Sequence, residues 1–151
     1  MNLLEALPTL LRVATAWAEG EAKAGWARGV PLDDAGTRLA RNVGVVHPER
    51  IRVVTVRELP MPTDPLLNQA ARAAGLLGPG FAGLTLGHTI FLRAGDERIR
   101  LLAHECRHVA QYESFGSIGL FLATHLRDVA RVGYWDSPLE QDARAFEHHE
   151  P

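Results

Sequence analysis

The chain has 151 residues, 46% of them hydrophobic, which suits one compact domain over residues 1–151 with an ordinary core. Lys and Arg number 16 against 18 Asp and Glu, so charge recommends neither nucleic acid nor an anionic membrane, and no contact with either is expected. The single cysteine, Cys106, rules out an internal disulfide and fits a reducing, cytoplasmic setting.

In the N-terminal stretch Leu3, Leu4, Leu7, Leu10, Leu11, Ala14 and Trp17 recur at three- and four-residue intervals, predicting an amphipathic helix that closes near Gly25. Glu5, Pro8 and Arg12 interrupt the apolar run and no basic segment precedes it, so it does not read as a signal peptide. Residues 1–30 are given either a packing or a regulatory role. A break at residues 29–34 precedes a second helix to about Val43, with Asp33 or Asp34 as N-cap. The β-branched run from Arg50 to Glu58 predicts a strand, and Asp64-Pro65 opens a short helix to about Ala74. After a glycine-rich loop, Gly83 to Arg93 alternates Leu84, Leu86, His88, Ile90 and Leu92 on one side, predicting one continuous strand. Helices are then expected from about Glu97 to Tyr112, from Ser117 to Val132, and from Ser137, as N-cap, to about His149. No stretch is long and apolar enough to span a membrane.

The segment His104-Glu105-Cys106-Arg107-His108 carries chemistry. Histidines four residues apart on a helix differ by about 40° in azimuth, so both point the same way one turn apart and can grip one zinc ion. The glutamate between them is placed to polarise the metal's water and take its proton. A catalytic zinc needs a third protein ligand. Glu113 lies about 180° around the same helix, and Ser114 stands where the longer metzincin motif has its third histidine, so the ligand comes from elsewhere. Glu140, one turn into the last helix, is the leading choice, with Asp136, Asp142, Glu147, His125 and the pair His148-His149 as competitors. Tyr134 and His125 are candidates for stabilising an oxyanion. Cys106, about 200° from His104, reads as a small core residue.

These residues resemble the gluzincin metallopeptidases, in which His-Glu-x-x-His is completed by a glutamate from a later helix; Glu140-Gln-Asp-Ala143 matches the first part of that element. The chain is also similar to small bacterial, minigluzincin-like domains in which a Thr-Leu-Gly strand, here Thr85-Leu86-Gly87, precedes a helix of the form His-Glu-x-x-His-x-x-Gln-Tyr, here His104 to Tyr112. The resemblance covers residues 83–146. It implies His104, His108 and Glu140 as ligands of one Zn2+, Glu105 as general base, and hydrolysis of a peptide or protein substrate laid along residues 83–93, with Gly87 permitting close approach. Position 144, where larger members carry an aspartate that orients a ligand histidine, is Arg144, so a backbone carbonyl or another carboxylate is expected to take that task. The expected fold is α+β: a small mixed sheet packed on helices, with a zincin-like active-site helix and a C-terminal ligand helix.

Overall fold

Asn2 caps the first helix, α1 (Leu3–Arg28), by accepting the amides of Leu4 and Glu5. Its apolar stripe buries Leu10, Ala14 and Ala18. The computed structural model describes residues 2–78 and 80–151; Met1 and Pro79, the proline of the expected glycine-rich loop, lie outside them. Then follow β1 (Val30–Pro31), α2 (Asp34–Asn42), a 3-10 turn (Pro48–Arg50), β2 (Arg52–Val56) and α3 (Pro65–Ala73). Asp33 and Asp64 cap α2 and α3 through the amides of Gly36 and Leu67. The remaining elements are β3 (Gly83–Leu86), β4 (Thr89–Arg93), α4 (Ile99–Phe115), α5 (Ile118–Val132) and α6 (Pro138–Ala145).

The fold is α+β, with six α-helices and one mixed four-stranded sheet in the order β1-β2-β4-β3 among the described residues. The parallel β2–β4 pair forms its centre, and β1 and β3 are added antiparallel at the two edges. The sheet divides two apolar cores. On one face Val54, Leu86 and Phe91 meet Leu10, Ala14 and Ala18 of α1 and Phe121 of α5. On the other, Ile90 and Leu92 meet Leu39 of α2 and Ala103, Cys106 and Val109 of α4.

Two expectations are corrected here. The segment from Gly83 to Arg93 is a hairpin rather than one strand: Gly87 has φ 65° and His88 has no positive φ, a two-residue turn with glycine first, as in type II′. Leu86 pairs with Thr89, so the turn resets the alternation and Phe91, not Ile90, shares the face of Leu86. The last helix ends at Ala145 rather than near His149, and Ser137 caps it without a side-chain bond, its Oγ donating instead to the Tyr134 carbonyl at 2.7 Å. Among the described residues no helix is long and apolar enough to cross a membrane.

Candidate metal centre

Helix α4 presents His104 and His108 on one side because the two stand four residues apart in a regular helix that ends at Gly116, whose φ of 89° breaks the α conformation. Helix α6 brings Glu140 over them from its first turn. Nε2 of His104 lies 3.2 Å from Nε2 of His108 and 3.2 Å from Oε1 of Glu140, while His108 Nε2 is 2.8 Å from Glu140 Oε2. The three groups offer one ligand atom each within 4.8 Å of one another, a possible metal-binding triad. The donor set suits zinc: two imidazole nitrogens and a carboxylate oxygen about 2.0–2.2 Å from a tetrahedral ion lie roughly 3.3 Å apart and leave the fourth position open.

The tautomer of His108 follows from its neighbours. Gln111, one turn further along α4, donates its amide to the Leu139 carbonyl at 2.9 Å and to Asp142 at 2.8 Å, which leaves its Oε1 as the acceptor 2.7 Å from His108 Nδ1. Nδ1 therefore donates to Gln111, which leaves Nε2 as the nitrogen that faces Glu140 and would ligate a metal. Asp142 in turn accepts from Arg107 at 2.8 Å, and Arg107 also donates to the Val43 carbonyl and stacks over Phe146. The group that holds the His108 imidazole is thus an amide, while Nδ1 of His104 faces a carboxylate, Glu147, at 3.8 Å. The position of Gln111 three residues after His108 was visible in the motif, and only its partners on α6 were not.

Burial opposes charge on this cluster, yet the partners prevail. Buried His108 would lose its proton more readily, but hydrogen bonding to Glu140 and that residue's charge raise its pKa to about 9. Burial likewise penalises the Glu140 carboxylate, and the bonds from both histidines hold it well below the usual range.

Glu105 is 4% exposed and lies beside the triad, bordering the same space as His108, Tyr134 and Glu140. Thr85 Oγ1 donates to its Oε2 at 2.6 Å. The carboxylate fits because residue 83 has no side chain: a Cβ there would sit 2.6 Å from Glu105 Oε1. Gly83 is thus the glycine against which Glu105 packs, and Gly87 serves the turn. Of the two hairpin strands β4 is paired on both sides and β3 lies at the sheet edge, which narrows the stretch free to receive an extended chain from residues 83–93 to residues 83–86.

Tyr134 donates to Glu140 Oε1 at 2.7 Å and packs edge-on against Phe81. Burial and the charge of Glu140 both push its pKa up, keeping the hydroxyl protonated. The competing ligands are placed elsewhere. Asp142 is engaged with Arg107 and Gln111, Glu147 Oε2 is 3.8 Å from His104 Nδ1, and His149 packs on Phe146. Arg144 stacks on Trp135 and donates to its carbonyl. Glu113 accepts the amides of Val46 and His47 and contacts His88, away from the triad. Cys106 is fully buried, and its thiol is pushed up to about 12 by desolvation. No protein-family model, no curated protein and no solved structure matches the chain.

Proposed function

We propose that the chain is a zinc-dependent metalloendopeptidase of the gluzincin type, with His104, His108 and Glu140 as the ligands and Glu105 as general base. The convergence of those three side chains beside a buried, positioned glutamate supports this reading most directly. A zinc ion held there would supply Lewis acidity, acidifying a water at its open position and polarising the carbonyl under attack.

The residues of the chain divide the remaining work. The Thr85 bond occupies Oε2 of Glu105, leaving Oε1, beneath Gly83, to take a proton from the attacking water as the new C–O bond forms. The same carboxyl then returns that proton to the amine nitrogen as the amide C–N bond breaks. Tyr134 steadies Glu140 in the resting site and is the donor assigned to the developing oxyanion. An extended peptide or protein substrate lies along the edge of β3, in the cleft bordered by Gly83, His104, Glu105 and Tyr134.

Metal analysis and turnover of two variants test this reading. Glu105→Gln is expected to keep its zinc and lose at least about 100-fold in peptide hydrolysis, and Glu140→Ala to lose the metal. Turnover unchanged in Glu105→Gln would remove Glu105 from the mechanism, and bound zinc with no peptide turnover by the wild type would instead favour a zinc-binding module without peptidase activity. That alternative draws support from Tyr134, whose hydroxyl is already committed to Glu140.

A further inference from the structure

Beside Glu105 lies a half-open cavity of about 130 Å³. Trp17 and Ala18 of α1, Leu67 and Ala71 of α3, and Leu122 of α5 supply apolar walls. Glu105, Tyr134 and Glu140 border this cavity and also the open cleft, so the triad stands in the partition between the two spaces. The size is close to that of an engineered apolar cavity of roughly 150 Å³ that takes up benzene. One aromatic ring therefore fits, and an acidic side chain would meet the carboxylates of Glu105 and Glu140.

Besides the polar groups of the metal site, the lining holds one further imidazole. His125 is 6% exposed, makes no hydrogen bond among the described residues, and has its Nδ1 buried without a partner. A neutral imidazole offers one donor and one acceptor nitrogen, and a phenolic hydroxyl complements either.

Resting on the hydrolase reading above, we propose that this cavity receives the side chain of the residue beside the cleaved bond and that it selects tyrosine, the ring filling the apolar walls and the hydroxyl bonding His125. The N-terminal helix thereby becomes part of substrate selection, since α1 forms one wall.

Calorimetric titration with p-cresol and toluene tests the cavity without metal or turnover. The wild type is expected to bind p-cresol about tenfold more tightly than toluene, the worth of one added hydrogen bond. Ala71→Phe is expected to bind neither, and His125→Phe to bind toluene as before while losing the preference for p-cresol. Should Ala71→Phe fail to fold by circular dichroism, Ala14→Leu narrows the cavity from α1 and carries the same expectation. Turnover of otherwise identical peptides should then follow Tyr over Phe over Ala at one position. No binding by the wild type, equal affinity for both ligands, or unaltered binding in the folded filling variants overturns the proposal. Cresol binding without turnover of any peptide overturns the hydrolase reading and leaves the ring pocket standing; turnover indifferent to the aromatic residue does the reverse.

Discussion

A single methyl group at position 83 probes how closely Glu105 is held. The Cβ of Gly83→Ala would fall 2.6 Å from Glu105 Oε1 and 3.0 Å from its Cδ, so the carboxylate must move. Because none of the three ligands is touched, zinc content is expected to stay at one equivalent while turnover drops by tenfold or more; overpacking should cost about 1–3 kcal/mol of stability in denaturant unfolding. Full activity with a shifted metal content would contradict this division of labour. Gln111 is the complementary case. Gln111→Leu removes the acceptor that fixes His108 and the donor that reaches Leu139, and zinc affinity measured against a chromogenic chelator is expected to weaken by roughly 10–100-fold.

Between elements, polar ties set the geometry that the apolar cores leave open. Glu113 joins α4 to the loop after α2 and to the hairpin turn through Val46, His47 and His88. Burial raises its pKa, but the His88 bond and the two amides outweigh that and bring it below the ordinary 4.5. A carboxylate depressed on folding contributes stability that is present above the unfolded value and lost as pH falls through the folded one. Acid unfolding should therefore steepen below about pH 4.5, and Glu113→Gln should flatten that limb while lowering stability at neutral pH. The same level of structure marks where the sequence was readable. Helix α4 and its histidines were legible because a 3.6-residue period and an i, i+4 spacing are local properties. The β3–β4 hairpin was not, because Gly87-His88 interrupts an apolar alternation that continues in phase on paper and changes face in space. Thr85, Gly83 and Asp142 were equally hidden: each acts on a residue 20 or more positions away, and nothing nearby in the chain marks the partner. Asp142 was considered only as a ligand, whereas its charge is spent on Arg107.

For the whole molecule, α1 settles which parts can be removed. Leu10, Ala14 and Ala18 stand in one of the two cores with Phe91 and Phe121, and Gly25 lets α1 approach the sheet so closely that a Cβ there would lie 2.6 Å from the Phe91 ring. The packing role describes this helix. Deleting residues 1–28 is expected to abolish cooperative thermal unfolding and to expose dye-binding apolar surface, rather than release a latent activity. An active, cooperatively folded truncation would reverse that assignment.

The arrangement of the triad also bears on how the chain is held shut. Two of its members share α4, and the third arrives on α6, 36 positions after His104. An ion gripping all three would close the intervening chain into a ring, acting as a removable clasp. On the loop-closure model a cross-link of that span takes roughly 3–4 kcal/mol of freedom from the unfolded chain. Chelation should accordingly unfasten one end of the molecule first: α6 and the residues after it would exchange their amide hydrogens sooner, while the sheet and α1 keep theirs.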